Sequence, residues 1–441
     1  MSQVVIKDVG INEKLGTGKS LFLGLQSVLA CNLFLGPVVI IGILAMDVKN
    51  AAALIAMTFL ACGIATVIQA GFFLKYPVIQ GMSFATIGAV LSIVAKTDFA
   101  TAFGSLIPAS IVIIIIGFLG LFSIIVRKII PPLVAGTVIV CIGVALMFIV
   151  WNSIVSAPGS VAINFLEAGV SFALLLVFIF LGNRPTMMGK ILRMGCVIYA
   201  MILGTIFASF FGHVNIAPVL EAPWFAIPKL FPFGAPKIDI TASLVMTFIL
   251  LVVLVESLGS WFTVSVLANE EMTDKHINKG VIGEGLGCLI GTLIGGIPVT
   301  SYGSNAGVIA VTRVFSRWAA VGAGAICIAM ALCPKLMSLI AIIPASVIWG
   351  VFAIICTLIM MSGFQSIRQY PLNDRNSMVI GLSVLATIGA SLMPPAVVAK
   401  MPLLISYLFG SAICVGAVTA IIVNLILPNQ DNGDENVVEQ K

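Results

Sequence analysis

Long apolar runs constrain this chain more than any other feature, because they recur at the length that a membrane requires. The runs at 110–126 and 244–255 show almost no polar face. Hydrophobic residues make up 60% of the 441 residues and charged residues only 9%, against about 25% charged in soluble proteins. A helix of about 20 apolar residues crosses the roughly 30 Å of hydrocarbon in a bilayer. The sequence therefore predicts an all-α membrane protein with the lipid bilayer as a partner.

About fourteen spans follow one another along the chain. Assigning their connections alternately to two sides places sixteen Lys and Arg residues on the side of both termini and six on the other. Because Lys and Arg are enriched in cytoplasmic connections, this bias predicts two cytoplasmic termini at the inner (cytoplasmic) membrane. The net charge of +5 then reflects topology, so we expect no nucleic-acid partner. The predicted spans are 20–44, 51–74, 77–95, 101–126, 133–151, 165–182, 194–212, 241–268, 281–296, 297–312, 316–340, 344–362, 377–393 and 401–427.

Two of these spans, the third and the tenth, are interrupted by Pro, Gly and hydroxyl residues. The segment 77–88 reads PVIQGMSFATIG, and 297–313 reads IPVTSYGSNAGVIAVTR. Irregular backbone at membrane depth survives only where protein or a watery cavity surrounds it. Interrupted helices at matching positions of two halves are a sequence indicator of a transporter's binding site. We therefore expect the site to be built around spans 3 and 10.

The two halves of the sequence echo each other in three collinear segments. LFLGLQSVLA at 21–30 aligns with LVVLVESLGS at 251–260, PVIQGMSFA at 77–85 with PVTSYGSNAG at 298–307, and IIPPLVAG at 129–136 with IIPASVIWG at 342–350. Seven spans in each copy would invert the second copy relative to the first. Inverted repeats hold substrate and coupling ions near the midplane, so the pattern predicts a 7+7 repeat with a site formed by spans 1, 3, 8 and 10.

Glu256 is the leading candidate for chemistry, because it lies inside an apolar span. Carboxylates at such positions usually face a cavity or a partner and mark a transport pathway. Glu256 can accept hydrogen bonds from the N–H groups of a planar ligand, or take up a proton. Glu284 in span 9 fits a structural and a functional role equally, and we leave it outside the predicted site. Glu167 is predicted to be an interfacial carboxylate at the start of span 6.

The other ligand candidates are small, amide or aromatic residues of the breaks and of span 1. Small residues let backbone groups reach a ligand, Asn offers both a donor and an acceptor, and a Phe either stacks on a flat ring or simply packs. The amide of span 1 would bind an amide-like edge or bridge spans 1 and 8. These candidates are Gln26, Gln80, Phe84, Ala85, Gly303, Ser304 and Asn305.

Motifs for other functions are missing from the sequence. The nine cysteines form no C-x-x-C pair, and there are only two histidines, His213 and His276. The chain also lacks H-E-x-x-H and G-x-S-x-G motifs. We therefore expect a transporter that is not an enzyme and needs no cofactor or metal.

Together these segments resemble the nucleobase–ascorbate transporter family, the xanthine and uracil permeases. The resemblance is carried by LGLQSVLA, YPVIQGMSFA, VESLGSW and SNAGVIAVTRVFSRW. The last segment is similar to the family signature Gln/Glu-Asn-x-Gly-x-x-x-x-Thr, which Asn305, Gly307, Thr312 and Arg313 match. The resemblance implies uptake of a nucleobase such as uracil or xanthine by proton or sodium symport, through an elevator-type movement. It also makes a homodimer an expected arrangement.

The resemblance also implies short strands in spans 3 and 10 and a division into a core and a gate domain. The implied parts are a cytoplasmic segment 1–19, core 20–126, gate 127–212, an extracytoplasmic loop 213–240, core 241–340, gate 341–427 and a cytoplasmic tail 428–441.

Glu256 matches the carboxylate of span 8 that holds the base in the family, but three positions depart from the family pattern. Ser27 replaces a His, Ser260 an Asp or His, and Ser304 a Gln or Glu. These changes leave the base and the coupling ion open. An inorganic-anion transporter of the same inverted-repeat fold is the alternative, although the charge of Glu256 would repel an anion.

Overall fold

The computed structural model describes residues 9–427 except 129, 130, 185, 230, 313 and 399. Arg313, the first eight residues and the predicted tail 428–441 therefore lie outside the described residues.

Among the described residues, the first half contains ten α-helices and one short strand. The strand β1 (Gln80–Met82) follows a π-helical turn at Gln69–Phe73 and precedes a 3-10 turn at Phe84–Thr86. The helices are α1 (Thr17–Cys31), α2 (Leu35–Leu44), α3 (Val48–Ile68), α4 (Ile87–Val94), α5 (Phe99–Phe118), α6 (Leu121–Lys128), α7 (Pro132–Ser156), α8 (Val161–Gly182), α9 (Met187–Ser209) and α10 (Ala217–Glu221).

The second half repeats the pattern of helices around one strand, β2 (Val299–Ser301). Its helices are α11 (Ile240–Ala268), α12 (Asp274–Leu293), α13 (Ser304–Thr312), α14 (Arg317–Ala331), α15 (Pro334–Ala341), α16 (Ala345–Ile367), α17 (Asp374–Ser391), α18 (Pro395–Val398), α19 (Leu403–Phe409) and α20 (Ala412–Ile426).

Polar residues in the connections fix where several helices begin and end. Asp47, Asp98 and Asp239 each accept a hydrogen bond from a backbone N–H in the first turn of the helix that follows. Such side chains satisfy donors that a helix start leaves unpaired. Asn269 closes α11 in the left-handed conformation at φ 52°, which Asn adopts more readily than most residues.

Within the described residues, seven helices are long and apolar enough to cross a membrane, or ten if three bent pairs are each counted as one span. The chain is therefore a multi-span α-helical membrane protein. Two segments that we predicted as single spans are sharply bent. The axes of α14 and α15 differ by 85°, and those of α19 and α20 by 95°. Pro334 at the start of α15 cannot continue the hydrogen bonds of α14.

Two further predictions need correction. The span predicted at 101–126 is divided into α5 and α6 at Gly120, whose φ of +67° interrupts the helix. Glu167 does not lie at a helix start, because α8 begins at Val161. Its side chain is fully buried among the helices.

The helices pack in two sets. In one set, which we call the core set, α1, α3, α5, α11, α12, α14 and α15 pack against one another. In the other, the gate set, α7 packs against α8, α16, α17 and α20, and α9 against α8 and α16. The two sets touch where α1 meets α9 and where α11 meets α7. In addition, α2 packs on both α3 and α16, and α19 packs on α20, α4 and α11.

Candidate functional site

The two interrupted spans meet in a two-stranded antiparallel ribbon. Gln80 pairs with Ser301, and Met82 pairs with Val299. The pairing extends beyond the strands, because Tyr302 donates its N–H to the Ile79 carbonyl at 2.9 Å. Antiparallel strands run in opposite directions, so the helices that follow them leave opposite ends of the ribbon. The short strands that the family resemblance implies are therefore present, and together they form one structure.

Glu256 lies near the middle of α11, beside this ribbon. Its side chain is half-buried, whereas Val255 and Ser257 on either side are buried. Its described hydrogen-bond partner is Ser83, whose hydroxyl lies 3.4 Å from the Glu256 carboxylate. Ser83 follows β1, so the first break reaches the carboxylate. Glu256 therefore has acceptor capacity left for a ligand.

An open surface lies next to this carboxylate. Gly303 and Ser304 at the start of α13 are exposed, as is Gly307 one turn later. On α11, Gly259 is also exposed, and no atom lies within 4 Å of where a side chain of Gly259 or Gly307 would begin. Gly303 faces Ser260, the residue one turn after Glu256. These small residues leave room for a ligand against the backbone.

Three aromatic rings border the same region. The ring of Phe84 lies 6.1 Å from that of Tyr302 and 5.4 Å from that of Phe352, between centroids. Phe84 was expected at the site from the sequence, but the other two rings were missed. Tyr302 lies inside the second break, so it could have been predicted from the SYGSN segment. Phe352 lies on α16 of the gate set, and nothing in the local sequence indicated that it would reach the site.

Glu284 lies behind the ribbon at the centre of a buried network. Its carboxylate accepts hydrogen bonds from Gln69 at 3.2 Å, from Gln80 at 3.0 Å and from Ser257. Glu284 is only 2% exposed. The structure thus uses Gln80, which we predicted to bind substrate, as a donor to Glu284 and to Ser301.

Side chains of α11 hold the second strand in place. Ser257 accepts a hydrogen bond from the Ser301 N–H at 3.0 Å, and its hydroxyl lies 2.8 Å from that of Thr300. Trp261 donates its indole N–H to the Ser301 hydroxyl at 2.6 Å. Ser260 donates to the Ser301 carbonyl at 3.0 Å. The strand is therefore fixed to the helix that carries Glu256.

Several predicted site residues lie away from the open surface. Asn305 is buried and donates its amide N–H to the Pro77 carbonyl at 2.6 Å, so it ties the second break to the entry of the first. Ala85 is fully buried in the 3-10 turn. Gln26, Ser27, Asn305 and Thr312 line a separate cavity of about 20 Å³ between α1 and α13. That volume holds about one water molecule.

Among the residues that the structure describes, no group of three or more His, Cys, Asp or Glu side chains is arranged to hold a metal ion.

Sequence comparisons show which known proteins this chain is similar to. The xanthine/uracil permease profile, described as a permease family, matches residues 18–396. The uric acid permease PucJ of Bacillus subtilis (strain 168) is 31% identical over 430 residues, covering 93% of this chain and 92% of that protein. PucK of the same organism is 29% identical over 416 residues, with 92% and 94% covered. Its uracil permease is 28% identical, with 83% and 84% covered.

Solved structures show a related fold at low sequence identity. The transmembrane domain of a cyanobacterium bicarbonate transporter, BicA, covers 95% of this chain and 100% of that chain with a TM-score of 0.59 and 16% identity. Murine Solute Carrier 26 family member A9, an anion transporter, covers 92% and 68% with a TM-score of 0.57 and 11% identity. Those likenesses concern the fold, whereas the profile spans most of the sequence. The chain is a multi-pass membrane protein of the xanthine/uracil permease family, a family of nucleobase transporters and not of enzymes.

Proposed function

We propose that this protein is a secondary active transporter that takes up a purine-type base such as urate or xanthine. The observation that carries the proposal is the open surface of Gly303, Ser304 and Gly307 beside the half-buried carboxylate of Glu256. A planar base has N–H donors at its edge and a flat apolar face. This surface offers an acceptor for the edge and aromatic rings for the face.

Each part of the site has a role in this proposal. The Glu256 carboxylate accepts ring N–H groups, and hydrogen bonds to charged groups contribute about 1.5–3 kcal/mol each. Phe84 and Tyr302 stack against the base. The start of α13 carries the partial positive charge of a helix N-terminus, which favours electron-rich carbonyl oxygens of the base.

The size of the open surface favours a bicyclic base. Ser304 and Ser260 are short side chains, and Gly303 between them adds no bulk. A single-ring base such as uracil would make fewer contacts with these residues than a bicyclic base, and fewer contacts weaken binding. The relatives named as uric acid permeases also align over a larger share of the chain than the uracil permease of the same organism.

We further propose the fourteen-span, 7+7 inverted-repeat architecture with core 20–126 and 241–340 and gate 127–212 and 341–427. Support comes from the ribbon, since Gln80 and Ser301, which the repeat aligns with an offset of 221, face each other directly. The two helix sets follow the same division. The Lys and Arg bias of the connections supports two cytoplasmic termini in this arrangement.

Glu256 is proposed to couple transport to protons, because its carboxylate lies beside the open surface where the base is proposed to bind. Sodium coupling is the competing proposal, and uptake driven separately by a pH gradient and by a sodium gradient discriminates between them. A homodimer remains an expectation of the family resemblance.

The test is binding and uptake by purified protein against urate, xanthine, uracil, sulfate and bicarbonate. A ligand that binds the native state raises the melting temperature. We expect urate or xanthine to do so, and Glu256→Gln to lower affinity about 10- to 100-fold. Glu271→Gln, in the exposed connection between α11 and α12, is the matched control. Stabilisation by sulfate or bicarbonate with no effect of any base would overturn the proposal, as would wild-type uptake by Glu256→Gln.

A further inference from the structure

The connection between α9 and α11 joins the gate set to the core set, and most of it is attached to the core set. Lys335 of α15 donates its backbone N–H to the Pro223 carbonyl at 3.1 Å and its ammonium to the Leu220 carbonyl at 3.4 Å. Ala226 donates to the Leu332 carbonyl at 3.1 Å. Residues 220–226 of the connection therefore lie on the core set.

A second attachment lies near the start of α11. Lys237 donates its N–H to the Ala100 carbonyl of α5 at 2.9 Å, and its ammonium lies 2.6 Å from the Asp98 carboxylate. The hydrogen bond from Lys237 lowers the pKa of Asp98 to about 2. The connection from residue 220 to residue 239 is thus held to core helices at both ends.

The other end of the connection is held to the gate set by a hydrogen bond between His213 and a buried carboxylate. His213, just after α9, places Nδ1 2.8 Å from the carboxylate of Glu167 on α8. The other carboxylate oxygen accepts a hydrogen bond from Ser346 in the first turn of α16. Glu167 is fully buried, whereas the His213 side chain is 24% exposed. Burying a carboxylate in a membrane protein is costly, and such residues usually serve function.

The Glu167 contact also bears on the gate helix that reaches the site. Ser346 lies at the start of α16, and Phe352, two turns later on the same helix, contacts Phe84. Glu167 therefore joins three elements, namely α8, the N-terminus of α16 and the start of the connection. Gly350 packs closely on Ala168, one residue after Glu167, so α8 and α16 lie in tight contact at this point.

Residues 214–216 bridge the two attachments, because α10, the five-residue helix at Ala217–Glu221, already packs on α15 of the core set. A fully extended chain covers at most about 3.3–3.6 Å per residue, so the four steps from His213 to Ala217 reach no more than about 14 Å. Because a helix rises only about 1.5 Å per residue, releasing α10 from α15 and extending it as far as Leu220 would add roughly 5 Å.

We propose that residues 213–217 form a strap that helps to limit how far the core set travels relative to the gate set, with Glu167 and His213 as positioning residues that anchor it. This inference rests on the proposed movement of core against gate. In it, the strap slackens or tightens as the substrate site changes sides, and release of α10 from α15 would lengthen it.

The first experiment lengthens the strap by inserting Gly-Ser-Gly-Ser between Val214 and Asn215. The same insertion between Ala235 and Pro236 is the control, because both flanks of that segment are attached to the core set. Spin labels at Lys49 of α3 and Ser156 of α7, both exposed, report the separation of the two sets by pulsed electron resonance. Cys196 and Cys333, the two free cysteines that are not buried, are first replaced by Ser.

We expect the strap insertion to extend the range of label distances by about 5 Å or more, and the control insertion to leave it unchanged. The maximal uptake rate should change roughly threefold or more, because such movements often limit turnover, while base affinity stays within about twofold. Equal distance distributions in both insertion variants would overturn the strap. This readout needs no substrate, so it decides the strap even if no base binds and the proposed function fails.

The anchor is tested separately with His213→Ala and His213→Asn. Removing the imidazole should reproduce the strap insertion, whereas Asn, whose amide can donate from the position of Nδ1, should retain wild-type distances. The insertion in the His213→Ala background should add no further change, since both alter one element. Additive changes, or wild-type distances in folded His213→Ala, would show that the pair does not anchor a strap.

Discussion

The two interrupted spans are similar in sequence, yet the structure gives them opposite surroundings. In the first, Gln80, Met82 and Ala85 are all buried. In the second, Gly303 and Ser304 are exposed directly after the strand. The strands pair with each other and so share one environment, but the chain that follows each strand does not. We infer that the first break is mainly scaffold and the second supplies the surface for the substrate.

The largest effect is expected from filling the surface of the second break. Ser304→Phe would place a ring where the base lies, and we expect affinity to fall about 100-fold, or roughly 3 kcal/mol. Ser304 is exposed as a whole residue, but its hydroxyl hydrogen-bonds to the buried Cys31. We therefore expect the melting temperature without ligand to fall slightly in both Ser304→Phe and Ser304→Ala. Ser304→Ala, which adds no volume, serves as the control. Wild-type affinity in Ser304→Phe would remove the second break from the site.

The first break should respond in the opposite way. Met82→Ala removes a fully buried side chain, and such truncations cost about 2–5 kcal/mol of the free energy of unfolding. We expect a lower melting temperature with base affinity within about threefold of wild type. Met188→Ala, at a position that is 64% exposed, should leave both unchanged. A large loss of affinity at unchanged stability would instead place Met82 at the substrate.

Gln80 sharpens the comparison, because the sequence predicted a ligand contact there. Gln80→Ala leaves Glu284 and Ser301 each without one donor, at a cost of about 1–3 kcal/mol in stability. A double-mutant cycle of Gln80→Ala with Ser301→Ala should give a coupling energy of about 0.5–3 kcal/mol in unfolding. A coupling energy of zero together with weaker base binding would indicate that Gln80 contacts the substrate, as the sequence predicted.

The smallest effect is expected at Gly307, and Gly81 provides its contrast in the first break. A methyl group at Gly307 meets nothing within 4 Å. We expect Gly307→Ala to keep affinity within about threefold and to raise helix stability by up to about 1 kcal/mol. The same change at Gly81 would overlap the Tyr302 ring and destabilise the fold by about 1–3 kcal/mol. Equal melting temperatures for the two variants would contradict the view that Gly307 borders open space while Gly81 is tightly packed.

Much of the fold could be predicted from local features of the amino-acid sequence. Apolar runs indicated the membrane helices, because a helix with a continuous hydrophobic surface is stable in the hydrocarbon of a bilayer. The Pro and Gly residues indicated both breaks. The short strands followed from the family resemblance, and the family itself is confirmed by the profile match over residues 18–396. The bends at Cys333 and Gly410 and the division at Gly120 were missed, because an apolar run looks the same in a straight helix and a broken one.

The site was predictable to a smaller extent, because contacts between distant residues leave no local pattern. Glu256 was identified from its apolar setting, and the structure leaves it half-exposed beside open space. Gln80 and Asn305 were expected to contact the ligand, yet each donates a hydrogen bond to a residue more than 200 positions away along the sequence. Phe352 was missed for the same reason.

The sequence by itself determined that this chain crosses a membrane several times, that two of its spans are broken, and which family it belongs to. Composition and short motifs are sufficient for these properties, because they depend on transfer into lipid and on local backbone freedom. The tertiary structure alone decided which polar residues form hydrogen bonds within the protein and which remain available to a ligand. A buried donor must bond to whatever acceptor the packed helices bring near it, so those roles appear only once the halves are assembled.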